Sequence, residues 1–392
     1  MPAKEVYGAQ PPIELLRMWI DHGHWYDTRN NSKQFLIDVL FLAAMGPPGG
    51  GRNDITTRFT RHLNVFGVNE SSDATMSRIF SIIADKHFAK GYDPQFSRLS
   101  KVMVQATLET YKRAIASFLP TPAKSHYVFN MRDFARVIRG TLLVPPASMK
   151  EGEKFMRLWV HEVYRVFYDR LTLDSDRDKW FEIVKDTLAN VFKVTIDKLL
   201  GYLNPSGNVT DEDIRSLMFG DYMNDDHIYD EVASMEEISA RMQAFLDDYN
   251  SITKTPMNLV LFQFAMEHVS RVSRVLKQDA GHCLLVGVGG SGRHSAVRLA
   301  AHMADYEYFT IEITRSYGSN DWREDLKKLL LKAGLEGKPT VFLFADSQIK
   351  MESFMEDISM LLNTGDLPNI FPADEKADML DKLQTIAREA VS

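Results

Sequence analysis

The chain has 392 residues, 45% hydrophobic and 25% charged, with a formal net charge of −7. That length and balance suit a folded chain with two or three core-forming units, and the acidic surplus without a basic stripe excludes nucleic acid as the main partner. The single cysteine, Cys283, excludes a disulfide within the chain and favours a reducing compartment; no run of about 18 apolar residues offers a membrane span, and no signal peptide is expected.

Met1-Pro2-Ala3-Lys4 carries neither a helix cap nor a strand prelude, as expected of a chain cut from a longer one. Pro11-Pro12 opens a helix, because proline is favoured in the first turn, and Ile13, Leu15, Leu16, Trp19 and Ile20 follow at helical spacing. The helix should stop near Asp21-His22-Gly23; His22 and His24 lack a Cys/His cluster around them and read as a polar loop rather than a metal site. Phe35 to Ala44 reads as one buried strand or a strand pair. The Gly/Pro-rich stretch from Met45 to Asn53 ends it, a short helix over 55–62 follows, and Val65-Phe66-Gly67-Val68 reads as a last strand. Residues 1–70 thus look like the back half of an α/β unit.

From Thr75 to Leu200 the pattern is almost wholly helical. A first helix over 76–89 carries apolar residues at Ile79, Ile82, Ile83 and Phe88, and a second runs from Leu99 to Phe118. Asn130 and Asp133 have N-cap and N3 spacing for a third, with Phe134, Val137 and Ile138 inward. Two more are expected over about 149–171 and 178–200, the latter with a stripe at Phe181, Val184, Leu188, Val191, Thr195 and Leu199. Asn204-Pro205-Ser206-Gly207-Asn208 reads as a linker. Mixed acidic sequence runs to about Asn250, with Asp225-Asp226 and Asp247-Asp248 as solvated surface. A long helix over 257–276 follows, its Arg271 and Arg274 expected to face solvent.

Leu284-Leu285-Val286-Gly287-Val288-Gly289-Gly290-Ser291-Gly292-Arg293-His294-Ser295 is an apolar strand with Cys283 as a small core residue, then a glycine-rich turn, then a helix start. This order cradles phosphates: glycines admit positive φ and leave backbone N–H groups uncovered, and the helix N-terminus faces the anion. Against the pattern G-x-x-x-x-G-K-[ST], Gly287 and Gly292 have the right spacing, but Arg293 replaces lysine, His294 replaces the Mg-binding hydroxyl and Ser295 comes one place late. Downstream, Thr340-Val341-Phe342-Leu343-Phe344-Ala345-Asp346 is an apolar strand ending in an aspartate, as a Walker B strand does; Ser347 stands where hydrolysing members of the class carry glutamate. With a strand at 308–313 and a helix at 322–333 between them, the pattern predicts parallel pairing and right-handed crossovers. Helices at 353–362 and 374–390 complete the chain. The fold class is therefore α/β of the P-loop NTPase kind, with a helical small subdomain.

Several strings carry a more specific likeness: residues 1–12, AAMGPPGGGRND at 43–54 with RFTRHLNVF at 58–66, GVGGSGRHS at 287–295, and VFLFADSQI at 341–349 with LLNTGDLPNIFP at 361–372. In this order they resemble the AAA+ motor ring of dynein heavy chains, axonemal branch. The resemblance implies two incomplete modules: 1–74 as the C-terminal part of the third module's α/β subdomain, 75–204 as its helical small subdomain, and 205–392 as the N-terminal part of the fourth. It implies ATP or ADP with Mg at Gly287, Gly289, Gly290, Gly292, Arg293, His294, Ser295 and Asp346, with Asp346 and then Ser295 nearest the metal. It gives Arg61 the arginine-finger position, with Arg58 as alternative, and Arg132 a sensor position, with Arg136 as alternative; pairing with a carboxylate and a structural role remain the plainer readings of these arginines. Gly46 stands where many modules carry a polar sensor. The implied parent is an ATP-driven, microtubule-based motor of the cilium or flagellum. Its expected partners are neighbouring ring modules, light and intermediate chains and microtubules, with neither nucleic acid nor membrane. The replacements at Arg293, His294 and Ser347 point to a regulatory nucleotide site that does not hydrolyse ATP by itself. A different reading stays open: a structural or interaction segment that binds no nucleotide and keeps the loop for packing.

Overall fold

The computed structural model describes residues 1–46 and 53–391. It divides into two compact units, 1–72 and 73–392.

In the first unit, helix α1 (Pro11–His22) begins on its proline and ends at Gly23, which turns left-handed at φ 72° and returns its N–H to Trp19. Strands β1 (His24–Tyr26) and β2 (Lys33–Phe35) form an antiparallel hairpin that the sequence reading missed. Trp19 packs edge-on against Trp25 and Phe41. The strand expected to run to Ala44 stops at Phe35, and no strand forms at 65–68. A strand needs a neighbour for its backbone groups. Among the described residues of this unit the only ladder is three residues long, and Ile37, Leu40 and Leu42 lie exposed. A short helix α2 (Thr57–Thr60) buries Phe59. Of the Gly/Pro-rich loop, Pro47–Arg52 lies outside the described residues.

The second unit opens on a helical bundle: α3 (Asp73–Phe88), α4 (Gln95–Ser117), α5 (Met131–Thr141), α6 (Gly152–Val166), α7 (Asp174–Thr187) and α8 (Ile196–Leu200). Of the four apolar residues marked on α3, Phe88 faces inward and the three isoleucines do not. Met76, Phe80, Ala84 and Phe88 are buried and Ile79, Ile82 and Ile83 are exposed, because the i,i+4 row carries rings that meet Phe134 at 4.6 Å and Phe155 at 5.4 Å. The cap of α5 forms as its sequence predicts: Asn130 Oδ1 accepts the Arg132 N–H and Asp133 Oδ2 accepts the Asn130 N–H. The helix expected over 178–200 is interrupted. A π turn over Leu188–Phe192 ends on Lys193 at φ 60°, and the extra residue lays Phe192 on Trp159, 5.0 Å away. Trp159 and Trp180 sit at the centre of the bundle, Trp159 donating to Thr107 Oγ1 at 2.9 Å.

Residues beyond 204 continue this core. Helix α9 (Asp211–Ile214) and the hairpin β3 (Phe219–Gly220) with β4 (Asp230–Glu231) contribute Ile214, Leu217, Phe219 and Tyr229 to it. Helix α10 (Met235–Ile252), where mixed sequence was expected, starts on Ser234, whose hydroxyl accepts the Glu237 N–H, and buries Ile238, Met242 and Leu246. Helix α11 (Gln263–Lys277) packs on α12 (Arg293–Met303); then come β5 (Glu307–Thr310), α13 (Ser319–Gly334), β6 (Thr340–Leu343), α14 (Glu352–Thr364) and α15 (Ala373–Val391). β5 and β6 pair in parallel, Glu307 opposite Thr340 and Thr310 opposite Leu343, as the βαβ pattern predicts.

Arg274 is not on the surface. It is buried on α11 with its Nε 3.1 Å from both oxygens of Glu162 on α6, which is also fully buried; Nη2 closes a second bond to Glu162 Oε2. Tyr229 Oη donates to the same carboxylate at 3.2 Å, and His161 Nδ1 lies 3.0 Å from it. Burial opposes ionisation of Glu162, but the charge and hydrogen bonds of Arg274 and the contact with His161 outweigh it and hold the carboxyl at about 2. Burial dominates at His161 and holds its imidazole at about 4, neutral near pH 7. Arg271 is also engaged, 3.4 Å from both Asp169 and Glu267.

Gly140 on α5 leaves room for this pair: a Cβ there would fall 1.6 Å from Glu162 Oε2. Helix propensity alone favours alanine over glycine by about 1 kcal/mol. Gly140→Ala is nevertheless expected to destabilise by ~3 kcal/mol or more, as breaking a buried ion pair does, read as a lowered urea midpoint. Both Glu162 and His161 are depressed from their usual 4.5 and 6.5, so the folded state binds fewer protons. Stability is therefore expected to be full above about 6.5, to fall first as the unfolded-state histidine charges between 6.5 and 4, and to fall further as the carboxylate is lost between 4.5 and 2. Unfolding midpoints at stepped pH, with His161→Gln removing the upper part of the loss, check this.

Candidate functional site

The segment before the glycine turn forms neither helix nor strand. Leu285 packs into the core under α11 and α12, whereas Cys283, Leu284, Val286 and Val288 are exposed. The expected strand is not realised and Cys283 is exposed rather than in the core: among the described residues no neighbouring backbone completes a ladder here, and Leu285 alone of residues 283–288 is partly buried.

The turn itself has the backbone a phosphate needs. Gly290 and Gly292 stand at φ 77° and 76°, where L side chains are strained, and a Cβ on Gly289, Gly290 or Gly292 would meet nothing within 4 Å. Gly287 approaches the rest of the loop closely, since a Cβ there would lie 3.1 Å from Ser291 Oγ. Gly292 is the N-cap of α12 and offers no side-chain cap; the first intrahelical bond is Ala296 N–H to Gly292 O at 2.9 Å. The amides of Arg293, His294 and Ser295 precede that bond and point, with the helix dipole, into the loop. Arg293 itself turns back, its Nη2 donating to the Val288 carbonyl at 3.3 Å. His294 is exposed and Ser295 half-buried.

Asp346 opens a single 3₁₀ turn (Asp346–Gln348) directly after β6. It is exposed, and its Oδ1 accepts the Ser347 N–H at 3.0 Å. Asp346 follows the carboxyl end of β6, which pairs in parallel with β5, and the glycine turn opens α12, the helix that precedes β5. These donors fit a phosphate: uncapped amides, two left-handed glycines and one guanidinium. They fit Mg more sparsely, with the Ser295 hydroxyl and the Asp346 carboxylate as the protein's contribution. That is compatible with an ion that keeps waters and shares phosphate oxygens. Among the described residues no group of three or more His, Cys, Asp or Glu could hold a metal without such help.

The other predicted arginines lie elsewhere. Arg61, after α2, has its Nη2 3.8 Å from Asp21 Oδ1, an oxygen that also lies 3.1 Å from His62, and Arg58 is exposed. Arg132 uses only its backbone N–H, on the α5 cap; among the described residues its guanidinium has no partner. Arg136 is bound to Asp133 at 3.0 Å, and that carboxylate is shared with Arg170 at 3.1 Å. Gly46 lies in irregular chain. Among the described residues no helix is long and apolar enough to cross a membrane.

Comparison with known families agrees with this geometry. Residues 257–391 match the model of the P-loop containing dynein motor region D4, residues 1–71 that of a P-loop containing dynein motor region, and residues 103–202 that of an AAA+ lid domain. The chain is 59% identical over 391 residues to dynein axonemal heavy chain 3 of mouse and, equally, of human, covering 99% of this chain and 10% of each relative. It is 43% identical over 404 residues to mouse dynein axonemal heavy chain 1, across 99% of this chain and 9% of that protein. The chain thus spans about a tenth of the length of the curated relatives it matches.

Placing a Cβ at the left-handed Gly292 is expected to strain the loop by ~1–2 kcal/mol and to loosen the first turn of α12. Faster amide exchange at Arg293–Ala296 in Gly292→Ala, with the α3–α8 bundle unchanged, is the expected result.

Proposed function

Since the chain belongs to the axonemal branch of the dynein heavy chain family, we propose that residues 287–295 and 346 form a nucleotide site of its AAA+ ring. Residues 1–74 and 75–204 are assigned to the α/β and helical parts of the third module, and 205–392 to the start of the fourth. The observation that carries this is the uncapped N-terminus of α12 behind two left-handed glycines. The Gly287, Gly289, Gly290 and Gly292 amide region would hold the phosphates of ATP or ADP, with Arg293 and His294 beside them. Ser295 and Asp346 would hold Mg, which neutralises phosphate charge when bound.

The site is read as regulatory. Arginine keeps a positive charge near the phosphates but not the compact ammonium of the usual lysine. Ser347 cannot act as the carboxylate that orients water, so hydrolysis is not assigned here. Arg61 is proposed as a finger toward a neighbouring module's nucleotide and Arg132 as a sensor; the guanidinium of Arg132, without a partner among the described residues, supports the second, whereas Arg61 is held by His62 Nε2 at 3.1 Å and lies 3.8 Å from Asp21. In the parent protein the activity is that of an ATP-driven, microtubule-directed motor in the axoneme, with light and intermediate chains as further partners. One observation favours the other reading, a segment that binds no nucleotide: Arg293 already satisfies itself on Val288.

Calorimetric titration of the chain with Mg·ADP and Mg·ATP decides between them. Saturable binding, lost or weakened about tenfold or more in Arg293→Ala as a charge-assisted phosphate bond is removed, is the expected result. Absence of binding by a chain that circular dichroism shows to be folded would overturn it.

A further inference from the structure

The turn that presents Asp346 is held by one side chain. Gln348 Oε1 accepts the Ala345 N–H at 2.8 Å, while its Nε2 donates to Thr310 Oγ1 at 3.1 Å and to the Ile311 carbonyl at 2.7 Å. The amide therefore spends its acceptor on its own turn and its donors on the chain leaving β5. No other side chain combines a carbonyl and an NH₂ at this reach except asparagine, one methylene shorter. Glutamate would bring a carboxylate oxygen against the Ile311 carbonyl, and alanine would leave the Ala345 N–H and that carbonyl without their present partner.

Asp346 has little else to aim it. Among the described residues its carboxylate makes one hydrogen bond, with the N–H of the next residue, and β6 ends at Leu343. The direction of the carboxylate is therefore that of the turn, and the turn is tied to β5 through Gln348. We propose that Gln348 is a positioning residue for the metal that accompanies phosphate, fixing the Asp346 turn against the chain that leaves β5 and so holding the direction of the carboxylate. This rests on the reading of residues 287–295 and 346 as a nucleotide site. It assigns no chemistry to Gln348 itself, whose hydrogen bonds go to its own turn and to the chain leaving β5.

The experiment uses the full chain with Gln348→Ala, Gln348→Glu and Asp346→Asn. ADP affinity is measured by calorimetry with Mg²⁺ and with EDTA, and amide exchange over 345–349 is followed without nucleotide. Groups that hold a metal ligand in place are worth about 10–100-fold in metal affinity. Both Gln348 variants are accordingly expected to lose about tenfold of the gain in ADP affinity that Mg²⁺ confers, as Asp346→Asn does, with the EDTA affinity unchanged. Exchange at Ala345 is expected to quicken in both. Equal losses with and without Mg²⁺ would mark a merely structural role and overturn the proposal, as would an intact Mg²⁺ gain or unchanged exchange at Ala345. Wild-type chain that binds ADP in neither condition would overturn the nucleotide reading and this inference together; failure confined to the Gln348 variants overturns this inference alone.

Discussion

The buried pair of Glu162 and Arg274 is the constraint on which the larger unit depends. Two charges removed from water need excellent geometry and extra hydrogen bonds to be tolerated. Here they have both: Arg274 reaches both carboxylate oxygens, Tyr229 supplies a further donor, and Gly140 withholds a side chain where one would collide. The pair joins α6, at the centre of the helical bundle, to α11, and α11 packs on α12, whose first turn carries the glycine loop. Around it a second set of charges, Arg215 and Arg271 with Glu267 and Asp169, repeats the same connection nearer the surface. The position of the loop relative to the bundle thus follows in part from polar contacts that are specific in direction, beside the apolar residues of 214–232 that enter both cores.

What the sequence made legible was local. Pro11, the Asn130–Asp133 cap, the glycine turn and the parallel β5–β6 pair all follow from residues a few places apart or from strand and helix order. What it hid depends on distant partners. Nothing near Arg274 announces burial, because its partner lies more than a hundred positions earlier and only the fold brings them together. On α3 two rows were apolar, and the choice between them was made by rings on α5 and α6. The strands expected at 36–44 and 284–288 have the composition but not the neighbours, and hydrogen-bonded strand is a property of two segments. Helix α10 was the miss with a local signal: Ser234 and Glu237 have cap spacing, and Ile238, Met242 and Leu246 follow at i,i+4.

At the candidate site the backbone is more faithful to phosphate binding than the side chains are. The left-handed glycines and uncapped amides survive the replacement of lysine, hydroxyl and glutamate, since they do not depend on side-chain identity. The two halves come from different local devices: a helix N-terminus supplies the loop, and a 3₁₀ turn braced by Gln348 supplies Asp346.

The inward turn of Arg293 bears on how such a loop is to be counted. Its guanidinium is not idle but bonded to the Val288 carbonyl of the same loop. An anion arriving there makes an exchange, one acceptor for another, and gains only the difference between a charged oxygen and a peptide oxygen. A tally of donors therefore overstates the attraction, and small changes in the loop's internal bonding would tune occupancy as effectively as changes in the groups that face the ligand.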